Sequence, residues 1–116
     1  MTNWKEKIEK DIKENEIVLY MRGTREAPRC GFSVRSVKVL EQFGRPFITS
    51  DMDQDPELWA TLKEMNQWRT SPQIFIKGEF IGGCDILVDM FKSGELAAMF
   101  ATDKESSNPE TTAQKD

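Results

Sequence analysis

The chain contains no histidine and only two cysteines, Cys30 and Cys84, among its 116 residues. Without imidazole, a Cys/His zinc site and a Cys-His catalytic dyad are both excluded, and cysteine-protease chemistry goes with them. Two cysteines are too few for a disulfide framework, and a reducing compartment would keep both as thiols. Long apolar runs are missing too: none approaches the roughly 18 residues of a membrane span, and the stretch from Met1 to Lys13 is too charged for a signal peptide. An intracellular chain is expected, cytoplasmic or in an organelle matrix if a targeting peptide has been removed, with no membrane partner. Positive charge is also in short supply, 16 Lys and Arg against 20 Asp and Glu for a net charge of -4. That balance argues against nucleic acid, whose phosphates call for clustered cations.

What remains has the ordinary proportions of one globular domain, 38% hydrophobic and 31% charged. Asn3 with Glu6 has the form of a capping box, and Trp4, Ile8 and Ile12 recur at helical spacing, predicting a helix over 4–14. Residues 16–21 are strongly apolar and β-prone, which suits a buried strand. Apolar residues from Phe32 to Phe43 occupy much of a helix circumference, predicting a helix over 31–43 with Gly44 as its cap and cover on two sides. Pro46 opens a second strand, Phe47-Ile48-Thr49, closed by Ser50-Asp51, and strand, helix, strand makes a βαβ unit with a right-handed crossover. Asp55-Pro56 starts a third helix. The runs Gln73–Ile76 and Phe80-Ile81, joined by Lys77-Gly78-Glu79, read as an antiparallel hairpin. A helix from Cys84 stops at Gly94, a short one spans Glu95 to Phe100, and residues 102–116 read as a disordered polar tail after a domain of residues 1–101. The expected fold class is α/β, a central mixed sheet with helices on both faces.

Cys30 stands where the first strand hands over to a helix. Amide groups of a helix's first turn and the helix dipole favour thiolate over thiol there. Arg22, Arg25 and Arg29 precede it against one acid, Glu26, so the loop reads as a positive patch on an acidic protein and suggests an anionic partner. A buried packing role is the alternative for Cys30 and the stronger one for Cys84. Ser33 occupies the place where a C-x-x-C motif carries its resolving thiol, so Cys30 needs a second sulfur from glutathione or from Cys84. Gly82-Gly83-Cys84-Asp85 makes a nest whose amides suit a carboxylate, with Asp85 placed for an ammonium, the two groups of an α-amino acid end such as glutathione offers.

Cys30-Gly31-Phe32-Ser33, with Arg22-Gly23-Thr24 and Ala27-Pro28 before it and Trp68, Thr70, Pro72-Gln73, Lys77-Gly78-Glu79 and Gly82-Gly83-Cys84-Asp85-Ile86 after it, closely resembles the monothiol glutaredoxins with a CGFS active site. The likeness runs from residue 4 to about residue 100. It implies a glutaredoxin-like thioredoxin fold, a four-stranded mixed sheet flanked by helices with an added N-terminal helix, glutathione bound beside Cys30, and a cis proline at Pro72. It further implies a [2Fe-2S] cluster bridging a homodimer and passed to apo recipient proteins, with BolA-like proteins as partners. Such a cluster wants four thiolates. Cys30 and a glutathione from each of two chains make four, as do Cys30 and Cys84 from each, and the family pattern favours glutathione.

On this reading Cys30 ligates iron, while Arg22, Thr70, Ser71, Pro72, Gly83, Cys84 and Asp85 hold glutathione. Two departures stand out. Trp59 sits where the family usually has an arginine for the glycyl carboxylate of glutathione, and Arg69-Thr70-Ser71 replaces its usual Pro-Thr and bulky residue. One cation is lost at 59 and one gained at 69, so Arg69 is expected to compensate. The alternatives are a weak glutathione-dependent oxidoreductase that removes glutathione from proteins, and a redox switch through a Cys30–Cys84 disulfide.

Overall fold

Strand β1 (Ile17–Met21) is buried along its whole length because both faces of the sheet it centres are covered. The computed structural model describes the backbone of residues 3–107 and the side chains of residues 3–101. Strand β1 pairs in parallel with β2 (Ile48–Asp51) and antiparallel with β3 (Gln73–Ile76), which pairs antiparallel with β4 (Glu79–Gly82), giving the order β2-β1-β3-β4. Side chains alternate across a strand. Ile17, Leu19 and Met21 accordingly enter one core with Leu40, Ile74, Leu87 and Leu96, while Val18 and Tyr20 enter the other with Ile8, Leu58, Leu62 and Phe75. The first core is built by helices α2 (Gly31–Glu41), α4 (Cys84–Ser93) and α5 (Glu95–Ser107), the second by α1 (Trp4–Glu14) and α3 (Pro56–Asn66). This is the mixed four-stranded sheet between two helical layers that the sequence predicted. Each fully buried Leu or Ile stabilises it by about 1.5–3 kcal/mol in transfer free energy.

Helix α1 starts as its sequence predicts, with Asn3 Oδ1 accepting the Glu6 amide at 3.2 Å. It is fastened across the layer by Trp4 Nε1 donating to Asp55 Oδ2 at 3.0 Å. Asp55 in turn caps α3, with Pro56 at the first helical position. Burial first, and the neighbouring Asp11 carboxylate second, push the Tyr20 hydroxyl pKa far up. Lys77 and Gly78 turn the β3–β4 hairpin, both at positive φ (56° and 81°), as a two-residue primed turn requires.

Several boundaries differ from expectation: β1 and β2 each start one residue late, at Ile17 and Ile48, and β4 is wider, Glu79–Gly82. Strand β2 continues through Ser50 and Asp51, since the parallel β1 still offers partners at Tyr20 and Met21. A 3-10 turn, Met52–Gln54, then buries Met52 completely. Helix α2 ends at Glu41, two residues early, and the chain turns through Gly44 at φ 63°. Helix α5 runs past Phe100 to Ser107, since Ala101–Ser107 holds neither glycine nor proline to break it. The start of the expected disordered tail is therefore helical, and residues 108–116 lie outside the described residues.

Candidate thiol and glutathione site

Strand register gathers the candidate residues on one rim of the sheet. Tyr20 pairs with Gln73, Met21 with Asp51, and Ile74 with Gly82, so the ends of β1, β2 and β4 meet the start of β3. Arg22, Pro72 and Gly83 flank those pairs, and Asp51 belongs to one of them. In a parallel βαβ unit this is the rim outside the strands' carboxyl ends, where open α/β sheets bind ligands.

Residues 22–29 form a closed loop rather than a free one. Arg29 N donates to Arg22 O at 3.0 Å, Gly23 bridges Pro28, and Thr24 and Ala27 exchange backbone hydrogen bonds. Gly23 has φ 88°, and a Cβ there would stand 2.6 Å from Ala27 O and 2.8 Å from Arg29 N, so the loop closes only over glycine. Its far end is Cys30, the extended N-cap of α2, partly exposed, with no side chain satisfying the amides of the first turn. Ser33 is fully buried, and its Oγ accepts the Arg22 amide at 3.3 Å. Ser33 thus fastens β1 to α2, which leaves Cys30 the accessible thiol of the motif. Phe32 beside it is 56% exposed.

The positive patch expected here is neutralised. Arg25 reaches Glu41 Oε2 at 3.1 Å. Arg22 Nε reaches Asp53 Oδ2 at 3.1 Å, and Arg29 Nη2 reaches Asp53 at 3.0 Å and Asp51 at 3.2 Å. Asp51 Oδ1 also accepts the Gly23 and Asp53 amides, both at 2.9 Å. The Trp59 indole N–H to Asp53 Oδ1 at 3.0 Å, with Arg29 and Arg22 adding to it, holds the Asp53 carboxyl down at about 2, against the partial opposition of its own desolvation. These carboxylates come from β2 and the turn after it, and the loop sequence alone gave no hint of them. The signal that could have found them is the crossover itself, which lays the ends of two parallel strands side by side.

On the other side of the rim, the Ser71–Pro72 peptide is cis, as the resemblance implies. The loop before it is held by Gln73, fully buried, whose Nε2 donates to Trp68 O and Thr70 O at 3.1 and 3.2 Å while its Oε1 accepts from Asn66 Nδ2 at 2.7 Å. Thr70 is exposed and Ser71 partly so. Gly83 caps α4 with no side-chain bond to the first-turn amides, and a Cβ on it would meet Pro72 O and Trp68 Nε1 at 3.4 Å. Cys84 is 4% exposed and packs in the α2/α4/α5 core, whereas Asp85 is exposed and accepts no hydrogen bond among the described residues. Arg69 is exposed and lines a shallow depression with Ala60, Lys63, Glu64 and Gln67 at the end of α3. Trp59 instead faces Asp53 and the arginines.

Comparison with known proteins agrees with this geometry. The sequence model of the Glutaredoxin family matches residues 17–81. The chain is 48% identical over 92 residues to monothiol glutaredoxin-S15, mitochondrial, of Arabidopsis thaliana, covering 79% of this chain and 54% of that protein. It thus spans about half the length of that plant relative. A probable monothiol glutaredoxin 2 of Rickettsia felis is 45% identical over 92 residues, 79% of this chain and 88% of its own length. Among solved structures, reduced apo glutaredoxin S14 of poplar superposes with a TM-score of 0.76 at 40% identity, covering 84% of this chain and 90% of that one. The buckwheat glutaredoxin–glutathione complex superposes with a TM-score of 0.76 at 27% identity, covering 85% and 88%. The fold is that of the thioredoxin class.

Proposed function

The chain belongs to the monothiol glutaredoxin family, and from that premise we propose that it binds glutathione beside Cys30 and carries a [2Fe-2S] cluster, shared between two copies, to apo proteins. The observation that carries this is the inequality of its sulfur positions: Cys30 is accessible at a helix start, Ser33 has no sulfur and is buried, and Cys84 is 4% exposed. A cluster wants four thiolates, and one chain presents a single accessible one. With Cys84 sealed in the core, glutathione is the better source of the remaining sulfur. Two Cys30 thiolates and two glutathione thiolates complete the set, and the donor chemistry fits.

Each residue has a part in holding glutathione. The open amides at Gly83 and Cys84 take the carboxylate of its γ-glutamyl end, and the unpaired Asp85 takes the ammonium. Thr70 and Ser71, set by Gln73 and the cis Pro72, run beside its cysteinyl backbone. Arg22 faces its glycyl carboxylate. The solved buckwheat relative, a glutaredoxin–glutathione complex, supports the ligand assignment. Arg69 supplies a supporting cation. If Arg69→Ala leaves glutathione affinity and cluster retention untouched, Arg69 has no such part. Exposed Phe32 beside the thiol gives the second copy, a BolA-like protein or a recipient an apolar foothold.

Anaerobic reconstitution with iron, sulfide and glutathione tests the proposal. A coloured dimer that forms only with glutathione supports it, and a protein that stays colourless overturns it. A secondary activity follows from the same thiol. The Cys30 thiolate attacks the glutathionyl sulfur of a protein mixed disulfide, the protein thiolate leaves, and a second glutathione thiolate then releases Cys30 as oxidised glutathione forms. The burial of Cys84 weighs against the switch reading, since a Cys30–Cys84 disulfide would need that thiol to leave the core.

A further inference from the structure

Arg22 is exposed, and an exposed arginine ordinarily samples many rotamers that a ligand must freeze on binding. Here it is held by Nε alone, 3.1 Å from Asp53 Oδ2, while Nη1 and Nη2 have no protein partner among the described residues. The end of the guanidinium that can grip a carboxylate with two parallel bonds is therefore free, and its orientation is fixed from behind. Asp53 is itself fixed on three sides: by Trp59 Nε1 on Oδ1 at 3.0 Å, by Arg29 Nη2 on Oδ2 at 3.0 Å, and through its own amide, which donates to Asp51. Trp59 is no loose surface residue, because its ring packs on the α1/α3 core. A rigid line thus runs from that core through Trp59 and Asp53 to Arg22.

We propose that Asp53, locked by the Trp59 indole, is a positioning residue that holds Arg22 with its Nη1/Nη2 edge open to the glycyl carboxylate of glutathione and makes the site select carboxylate over amide at that end. The inference rests on the reading of Arg22 as a glutathione-binding residue. It also gives Trp59 a role at the position where the cation is missing: the indole replaces a direct contact by an indirect one. Asp53 brings a negative charge near an anionic ligand, which opposes binding, so its removal mixes two effects. Trp59→Phe keeps every charge and removes the N–H that fixes Asp53 together with part of the packed ring, so it reads orientation without a change of charge.

The test is a titration of the reduced full chain, followed by magnetic resonance shifts, with glutathione and with the analogue whose glycine ends in an amide. Wild type should prefer glutathione. Trp59→Phe should reduce that preference by about 2- to 5-fold, the range of a partly exposed charged contact, without weakening the amide analogue. In an Arg22→Gln background the preference should be small and Trp59→Phe should no longer alter it. Asp53→Glu, at the surface, keeps the charge and moves the carboxylate out of register with Trp59 and Arg22; it gives the second measurement should Trp59→Phe fail to fold, and it too should lower the preference. An unchanged preference in the folded variants overturns the positioning role, and so does an increased one, which would make Asp53 a competitor for Arg22. A wild type that binds neither compound, or both alike, overturns the glutathione reading of Arg22 and the inference with it.

Discussion

Helices α1 and α3 close their own first turns, with Asn3 and Asp55 as side-chain caps, while α2 and α4 on the opposite face begin at Cys30 and Gly83 with no such cap. The capped pair serves as scaffold. The uncapped pair points its free amides at the rim where Cys30, Pro72 and Asp85 lie, and unsatisfied amides at a helix start favour an anion. The contrast separates the two cysteines as well. Both head uncapped helices, yet Cys30 is partly exposed and Cys84 is sealed into the core, so a helix start does not by itself make a thiol usable; access decides.

The sharpest way to break this contrast is to exchange its thiols. Cys30→Ser should abolish the mixed disulfide with glutathione and the cluster together, seen by mass spectrometry and absorption. Gly23→Ala comes next: a Cβ forced within 3 Å of Ala27 O and Arg29 N, at φ 88°, should cost about 2–4 kcal/mol in denaturant unfolding and displace the loop that carries Cys30. Cys84→Ser should cost about 1–2 kcal/mol, as a hydroxyl replaces a packed thiol, and leave the glutathione adduct on Cys30 intact. Asn3→Ala probes the capped face, where about 1 kcal/mol of stability should be lost with no change in glutathione affinity.

The smallest effect is one of pH. Asp53 has its carboxyl lowered from 3.8 to about 2, so the unfolded chain binds the proton first. The stability this supplies is present above the ordinary carboxylate value and is lost as pH falls towards 2. The gap in unfolding temperature between wild type and Asp53→Asn should therefore shrink from pH 4 to pH 2. A gap that stays constant through that window would remove Asp53 from the ion-pair network.

Elements with strong local signals were legible before any coordinates. Helix α1 and strand β3 occupy the residues predicted, since a capping box and an apolar run are each written within a few neighbours. Much the same holds for Cys30, Gly83, Cys84 and Asp85, whose helix starts follow from adjacent glycines and turns. What escaped is set by contacts distant in sequence. The loop arginines read as a free patch because their partners Glu41, Asp51 and Asp53 lie 16 to 31 residues away. Trp59 read as a lost cation, and only the fold brings its indole to Asp53. The cis form at Pro72 came from the family likeness and from nothing in the local sequence.

A four-thiolate cluster on chains that each present one accessible thiol would need borrowed sulfur. Native mass spectrometry of the anaerobically reconstituted protein counts the sulfur donors. The expected species has two chains, two glutathiones and one [2Fe-2S] cluster, and Cys84→Ser still forms it while Cys30→Ser does not. A cluster-bearing dimer without glutathione, lost on Cys84→Ser, would contradict it.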